Sequence, residues 1–305
     1  MEIRHLKAFL EVARLSSFSK AADRLHYAQS SVSAQIRSLE DELGVQLFDR
    51  LGRSILLTQA GERLMPYAER IIDLADETRA EIGGGSEPEG SLTIRVPESL
   101  GVYRLAPVIY EFGSLFPRIR LNLMNCAHET LQKELRNGAI DLAFLLAESF
   151  QGADLAVEAL GSERLVLVAS PRNGLARKSL VRTRDLAKET LFLSKVDCSY
   201  RRLFEGILGE EGIPLEATRT FHSVAFLKRC VMAGSGITIL PEVTISDEIA
   251  KRELARLRWE EGDLEVSVLM IWCKARWVSP ALNAFMQITR RVLTESLQQG
   301  PSESS

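Results

Sequence analysis

The chain has 305 residues, of which 46% are hydrophobic and 26% are charged, and its formal net charge at pH 7 is -3. This is the composition of a globular protein, and the length exceeds what one hydrophobic core usually holds, so we expect two or three domains. The small negative charge argues against a protein that coats nucleic acid nonspecifically. The sequence shows neither an apolar run near the roughly 18 residues of a membrane span nor a secretory leader, so we expect a cytoplasmic protein without a membrane role.

Residues 18 to 43 predict two short amphipathic helices separated by a tight turn. The first helix carries an apolar stripe with two adjacent alanines, Ala21 and Ala22, that allow another helix to approach closely. The second repeats apolar residues at spacings of four, three and four: Val32, Ile36, Leu39 and Leu43. Each stripe needs a partner, and the other stripe is the nearest. This pattern predicts a helix-turn-helix, whose second helix enters the DNA major groove.

The outer face of the second helix is the expected DNA-reading surface. Small and amide-bearing residues occupy its first half, whereas the acids Glu40, Asp41 and Glu42 are kept to the far end, away from phosphate. Gln and Arg side chains can form bidentate hydrogen bonds to adenine and guanine edges. The alternative is an ordinary solvated helix face. The predicted DNA contacts on this helix are Gln29, Ser30, Ser31, Ser33, Ala34 and Arg37.

Residues 46 to 58 predict a small two-stranded wing with its turn at Gly52. Arg50 and Arg53 flank that turn. On an isolated hairpin they would be ordinary solvated charges, but beside a recognition helix they are well placed for backbone phosphates. We therefore expect both arginines to contact DNA.

From Ser17 to Gly61, about 45 residues, the chain resembles the LysR-type transcriptional regulators. The resemblance implies an N-terminal winged helix-turn-helix with double-stranded DNA as its partner. The matching positions are Ser17, Phe18, Ala21, Ala22, Leu25, Gln29, Val32, Ser33, Gln35, Ile36, Leu39, Glu40, Leu43, Gly44, Leu47, Phe48, Arg50, Arg53, Leu57, Thr58, Ala60 and Gly61.

Two departures from the family pattern affect the recognition helix. Many members begin this helix with Ser-Gln-Pro, whereas this chain has Ala28, Gln29 and Ser30, and losing a side-chain N-cap costs about 1 kcal/mol. Ala34 stands where many members place an arginine that reaches DNA, so we expect one contact fewer.

Residues 58 to about 82 predict one long helix with the apolar repeat of a coiled-coil seam. An intramolecular partner would cover this stripe, but Gly83, Gly84 and Gly85 then interrupt the chain as a joint. A self-pairing helix before a hinge implies a dimer. In the family that the chain resembles, this helix links dimers whose recognition helices face successive turns of DNA, and members usually form tetramers. We expect a homodimer or homotetramer.

From residue 90 onward, short apolar runs alternate with helical patterns, which predicts an α/β domain with mostly parallel sheets. The expected strands are Leu92 to Val96, Leu121 to Met124, Leu142 to Leu146, Leu165 to Ala169, Leu191 to Leu193, Ile237 to Leu240 and Val266 to Trp272. The expected helices are Leu105 to Phe116, Glu129 to Asn137, Tyr200 to Glu211, Val224 to Ala233 and Pro280 to Leu297.

The resemblance extends loosely through this region, at Phe116-Pro117, Asp141-Leu142-Ala143 and Leu240-Pro241 among others. It implies a two-lobed α/β effector domain of the periplasmic-binding-protein type, with crossover strands and a cleft. We expect four parts: a DNA-binding domain over residues 1–58, a linker helix and hinge over 59–89, an effector-binding domain over 90–298 and a tail over 299–305.

Ligands of such sheets bind where strands end and helices begin. Lys195 and Arg201, with two histidines, would make the cleft cationic and favour an anionic effector. An equally weighted alternative is that both cations pair with surface acids such as Asp197 or Glu205. A histidine near a strand end is also often structural. The predicted effector contacts are Glu98, Ser99, Leu100, His128, Thr130, Ser194, Tyr200, Arg201 and His222.

The cysteine spacing and the catalytic motifs limit the classes of function that the sequence allows. Four cysteines lack metal-binding spacing, so we expect reduced thiols and no cofactor, although a thiol-based redox role for Cys198 is an alternative. We find no GxSxG, HExxH or GxxxxGK pattern, which argues against an enzyme. A plain solute-binding protein would not carry residues 1–60. The sequence therefore predicts a DNA-binding transcriptional regulator modulated by a small-molecule effector.

Overall fold

A computed structural model describes residues 1–51, 54–82, 90–125, 130–195, 198–213 and 218–298. These residues form two compact units. The first contains residues 1–91 together with 118–120, and the second contains the rest of the described chain.

The first unit is a helical domain with a small antiparallel sheet. The predicted helix pair is confirmed, and a helix that precedes it packs against both of its members, so that three helices share one core. Ser17 caps the second helix by accepting a hydrogen bond from the Lys20 N–H at 3.3 Å. The elements are α1 (Ile3–Leu15), α2 (Phe18–Leu25), α3 (Gln29–Leu43), β1 (Phe48–Leu51), β2 (Ser54–Leu57) and α4 (Gln59–Ile82).

Strands β1 and β2 pair in antiparallel register, with Phe48 opposite Leu57 and Arg50 opposite Ile55. The Phe48 ring packs against Phe9 and Phe18, with ring centroids 5.5 and 5.9 Å apart. The strand pair is therefore anchored to the same core as the helices. Its predicted turn at Gly52 lies outside the described residues.

Helix α4 uses its predicted apolar seam in two ways. Ala60, Leu64 and Ile71 pack against the core of their own unit, so an intramolecular partner covers this part of the stripe. Tyr67 and Leu74, by contrast, are 45% and 55% exposed. Contacts within one chain therefore cover part of the stripe, and the rest of it stays exposed.

The second unit is built on a mixed sheet. Within the described residues, nine strands follow the order β4-β3-β5-β11-β6-β9-β7-β8, with β10 beside β6. The strands are β3 (Gly90–Val96), β4 (Ile119–Asn125), β5 (Leu142–Ala147), β6 (Leu155–Ala169), β7 (Leu191–Ser194), β8 (Thr218–Phe221), β9 (Ile237–Pro241), β10 (Ala255–Arg256) and β11 (Leu264–Cys273). The helices are α5 (Glu98–Tyr103), α6 (Ala106–Leu115), α7 (Leu131–Asn137), α8 (Cys198–Glu210), α9 (Val224–Met232), α10 (Ser246–Ala250) and α11 (Pro280–Gln298).

Two long strands, β6 and β11, join two lobes. They pair antiparallel from Leu165 opposite Leu264 to Leu155 opposite Cys273, with an irregularity between Val268 and Leu269. Strands β3 and β5 are parallel in the first lobe, as are β7, β8 and β9 in the second. The expectation of mostly parallel sheets is therefore wrong at the centre, because strands that cross between lobes run antiparallel to their neighbours.

Each lobe has its own apolar cluster beside the crossing strands. The first includes Leu131 and Leu135 of α7 with Ile271 of β11. The second includes Val224 and Leu227 of α9 with Phe192 of β7. The two-lobed α/β architecture is confirmed.

Candidate DNA-binding surface and effector cleft

The predicted recognition surface is the solvent side of α3. Gln29, Ser30, Ser31, Ala34 and Arg37 are exposed, and Ser33 is half-buried. Val32, Ile36 and Leu39 on the opposite side are fully buried, because they pack against α1 and α2. This amphipathic division leaves a row of small polar side chains and one guanidinium facing away from the core.

The start of α3 is held by contacts from its neighbours. Ala28 makes no side-chain capping bond, as the sequence predicted. The Ser19 hydroxyl of α2 donates to Gln29 Oε1 at 3.2 Å, which ties the first side chain of the recognition helix to the preceding helix. The Gln29 side chain is thereby restrained by a contact within its own unit.

Glu40 does not belong to the outer face, which corrects the expectation from the sequence. It is only 6% exposed, and its carboxylate accepts the backbone N–H groups of Leu47 at 2.7 Å and Phe48 at 3.4 Å. Glu40 lies four residues after Ile36, so helical periodicity carries it to the buried side. The carboxylate thus joins the end of the recognition helix to the first strand of the wing.

The same chain segment is fixed from the other side by the start of α4. The Thr58 N–H donates to the Leu47 carbonyl at 3.0 Å, and the Thr58 hydroxyl caps α4 by accepting the Gly61 N–H at 3.1 Å. Gly61 passes so close that a Cβ built there would overlap the Leu47 carbonyl oxygen. Glu40, Thr58 and Gly61 together lock Leu47, and through it the wing.

The wing arginines are only partly described. Arg50 lies on β1 opposite Ile55, but its side chain falls outside the described part of the structure, as does Arg53 entirely. The backbone places Arg50 on a strand that is anchored to the end of α3 through Glu40.

In the second unit, Glu98 lies at the first cleft-facing junction, immediately after β3. Its carboxylate accepts the Val224 N–H at 3.1 Å and lies 3.4 Å from the Ser223 hydroxyl, at the N-terminus of α9 in the other lobe. Helix N-termini are natural anion sites. This one is occupied by a carboxylate of the protein, so it is not free for an anionic effector.

Tyr103, at the other end of α5, also reaches the second lobe. Its hydroxyl accepts from Lys228 Nζ at 3.1 Å, and the same ammonium contacts Thr244 O at 2.6 Å and Glu248 Oε1 at 2.5 Å. Burial lowers the pKa of Lys228, but the hydrogen bonds to Glu248 and Tyr103 outweigh it and raise the pKa. Helix α5 is therefore held to the second lobe at both ends.

The structure separates the remaining predicted effector residues into three groups. Ser99, Leu100, Ser194 and Tyr200 are buried in the protein interior. Thr130 and His222 are exposed, and the Thr130 hydroxyl is bonded to Glu134 at 2.9 Å. His128 lies outside the described residues. These residues do not form one cationic pocket among the described side chains.

Arg201 follows the alternative that the sequence left open. Its Nε lies 2.7 Å from Glu205 Oε1 one helical turn away, so its charge is already paired. Lys195 is exposed, and Asp197 lies outside the described residues. The ion pair weakens the case for Arg201 as an anion ligand.

A cavity of about 390 Å³ opens between the lobes at a different position. It lies between the end of β5, the start of β11 and one face of α8. None of the nine predicted effector residues lines it. Its charged lining residues are Glu148, Arg202 and Glu210.

Comparisons with known proteins agree with both units. The family described as bacterial regulatory helix-turn-helix protein, lysR family, matches residues 3–62, and the LysR substrate binding domain matches residues 85–294. The HTH-type transcriptional regulator YwqM of Bacillus subtilis is 38% identical over 292 residues, which cover 95% of this chain and 99% of YwqM. GltR, also an HTH-type transcriptional regulator of B. subtilis, is 32% identical over 286 residues, covering 94% and 95%.

The chain belongs to the LysR family of transcriptional regulators.

Solved LysR-family structures share its fold. Full-length CbnR in complex with its target DNA has a TM-score of 0.67 and 23% identity, covering 96% of this chain and 100% of CbnR. OxyR from Pseudomonas aeruginosa also has a TM-score of 0.67, with 22% identity and coverage of 96% and 94%. At these identities the likeness shows the arrangement of elements alone.

In this LysR-type regulator, three structural features differ in how far the sequence reveals them. The charge of Glu40 suggests the outer face, although its spacing from Ile36 marks the buried side. The Glu98 contact with α9 joins residues 126 positions apart, which no local pattern reveals. Arg202 and Glu210 had a local signal, because residues eight apart share one helix face.

In the described part of the chain, no helix combines the length and apolar character that crossing a bilayer requires. No group of three or more His, Cys, Asp or Glu side chains in that part is placed to hold a metal ion.

Proposed function

We propose that this LysR-type transcriptional regulator reads its operator with the exposed face of α3 and steadies itself on phosphates with the wing. Base and groove contacts come from Gln29, Ser30, Ser31, Ser33, Ala34 and Arg37, and phosphate contacts come from Arg50 and Arg53. The supporting observation is the division of α3, which buries Glu40 and leaves Arg37 exposed. Burying that acid removes a negative charge from the side that meets DNA.

We propose that residues 1–58 bind DNA, that residues 59–89 form the linker and that residues 90–298 bind the effector. Two copies associate through α4, since Tyr67 and Leu74 remain exposed beside the part of the stripe that is partly covered within one chain. Pairing places two recognition helices on one approximately palindromic site. A homodimer is the minimal DNA-binding form, and a homotetramer is two such dimers.

The effector is proposed to bind between the two lobes and to favour one arrangement of them. Such coupling requires that the effector bind one arrangement more tightly than the other. The contacts of Glu98 and Tyr103 with the second lobe support this mechanism, because they hold the two lobes in one arrangement and a shift of the lobes would break them. A simple anion site built on Arg201 has less support, since Glu205 pairs with that guanidinium.

The proposed role is regulatory, not enzymatic, and is carried out in the cytoplasm without a cofactor. The family to which the chain belongs consists of transcriptional regulators. The side chain of Cys198, the alternative redox residue, lies outside the described part of the structure.

The DNA-binding proposal is tested by fluorescence anisotropy with the purified full chain. The probes are duplexes from the region upstream of its own gene and shuffled duplexes of equal length and base content. We expect an upstream duplex to bind at least about 10³-fold more tightly than its shuffled control, as specific DNA-binding proteins do. Its affinity should also fall steeply between about 50 and 200 mM salt. Equal affinity for all duplexes would refute sequence-specific binding at these sites.

A further inference from the structure

We infer that the cavity between β5, β11 and α8 binds a small molecule carrying both an ammonium and a carboxylate, as a free amino acid does. This inference rests on the proposed function, because it names the chemical class of the effector that acts between the lobes. It differs from the anionic effector that the sequence predicted, and it assigns binding to residues outside the predicted set.

The cavity has the size and position of a ligand site. Its volume of about 390 Å³ lies in the range of small-molecule pockets. The end of β5 in the first lobe forms one wall, and α8 in the second lobe forms another. A ligand held there would contact both lobes at once, which is what a modulator of their arrangement must do.

The α8 wall presents one helix face with a gap in its middle. Arg202, Gly206 and Glu210 follow one another at intervals of four residues, so they lie in one row along the helix. A Cβ built on Gly206 meets no atom within 4 Å. The missing side chain therefore leaves room between a cationic residue and an acidic one.

The charges of the lining select for opposite charges in the ligand. Arg202 supplies one positive charge, while Glu148 and Glu210 supply two negative charges. Across the described ranges, none of these three side chains takes part in an ion pair or hydrogen bond. A carboxylate alone would meet two glutamates, and an amine alone would leave Arg202 without a counter-charge. A molecule with both groups satisfies both signs.

The apolar part of the lining sets the character of the ligand's body. Leu203 and Ile207 of α8 face the cavity together with Val266 of β11 and Ala147 of β5. These aliphatic side chains suit a short hydrocarbon chain between the charged groups. The adjacent Arg201 is excluded from this arrangement because it pairs with Glu205 and does not line the cavity.

The test is thermal denaturation of the full chain, with tryptophan fluorescence as the signal, since all three tryptophans lie in the second unit. The probes are the individual free amino acids and linear ω-amino acids, each compared with its matched carboxylic acid and matched amine. A ligand at about 100 times its Kd should raise Tm by about 5–10 °C. We expect at least one amino acid to do so, and its two matched compounds to give less than half that shift.

Three variants locate the site. Arg202→Met should abolish most of the shift, whereas Arg201→Met, the matched control on the next residue, should retain it. Gly206→Met fills the open space and should abolish the shift while leaving the Tm of the free protein unchanged or higher, because an added Cβ meets no atom within 4 Å and methionine is a better helix former than glycine. If every variant retains the shift, the cavity is not the site.

The inference is overturned if no amino acid shifts Tm, or if the matched acids without an amino group do so equally well. Sequence-selective DNA binding measured on the same protein separates this failure from failure of the proposed function. DNA binding that survives without an amino-acid response overturns the ligand class alone. If the unmodified chain shows no sequence-selective DNA binding, the regulator assignment itself is overturned.

Discussion

Replacing Arg37 with methionine is expected to weaken binding of the full chain to its operator by about 10-fold to 100-fold, as removal of one bidentate base contact does. Arg37 is exposed on α3 between the buried residues Ile36 and Leu39. Its side chain therefore points away from the core that anchors the helix. Methionine keeps a good helix former of similar length, so the expected loss comes from the guanidinium and not from unfolding.

The measurement is fluorescence anisotropy on the operator and on a shuffled duplex at one fixed salt concentration. Arg172→Met is the control, because Arg172 is an exposed arginine in the second unit. We expect the control to bind like the unmodified chain and the Arg37 variant to lose more affinity on the operator than on the shuffled duplex. Unchanged operator affinity in the Arg37 variant would remove this residue from the reading surface.

Replacing Gly61 with alanine is expected to destabilise the first unit by about 3 kcal/mol, at the upper end of the cost of overpacking a core. In an open helical position the same change is stabilising by up to about 1 kcal/mol. Here the added Cβ would overlap the Leu47 carbonyl oxygen and lie 2.8 Å from Leu57 Cδ2. The Leu47 backbone cannot move aside freely, because Glu40 and Thr58 hold it.

Urea denaturation of the full chain measures this effect, with circular dichroism and tryptophan fluorescence recorded together. We expect an early helical transition in the Gly61 variant, without an early fluorescence change, since the tryptophans report on the second unit. Gly209→Ala on α8 is the matched control, because a Cβ there meets no atom within 4 Å. It should leave the second unit as stable or more so. Coincident, unchanged transitions in the Gly61 variant would contradict the close packing at Leu47.

The helices of the first unit were predictable because their signals are local. Val32, Ile36 and Leu39 mark one face of α3 within eight residues, and the structure buries all three. The burial of Glu40, by contrast, could not be predicted from its charge. Its carboxylate is buried because it accepts N–H groups from Leu47 and Phe48 beyond the end of the helix. A residue's charge alone predicts exposure, whereas its partner in the fold decides burial.

The second unit was predictable in class but not in connectivity. The predicted strand at Leu165 to Ala169 is the buried end of β6, whereas its first part alternates between buried and more exposed residues and was missed. Strand β8 was missed because its sequence, Thr-Arg-Thr-Phe, carries no apolar run. Antiparallel crossing strands depend on how distant segments pair, which a single strand's composition does not encode.

The candidate effector site was the least predictable part. Strand ends were a sound general guide, and they led to Glu98, which lies at the cleft but contacts the N-terminus of α9. They did not lead to Arg202, since it lies within α8 beyond the strand end and faces a cavity formed by both lobes. The pairing of Arg201 with Glu205 was predictable, because residues four apart lie on the same side of a helix.

The central claim is that the exposed face of α3 reads base edges, and binding-site selection tests it most directly. Randomised duplexes would be selected with the unmodified chain and with the Gln29→Ala variant, then sequenced. We predict that both proteins select paired half-sites and that the variant loses base preference at one position in each half-site, where the restrained Gln29 amide lies. Identical base preferences at every position, or no enriched site for the unmodified chain, would contradict the account.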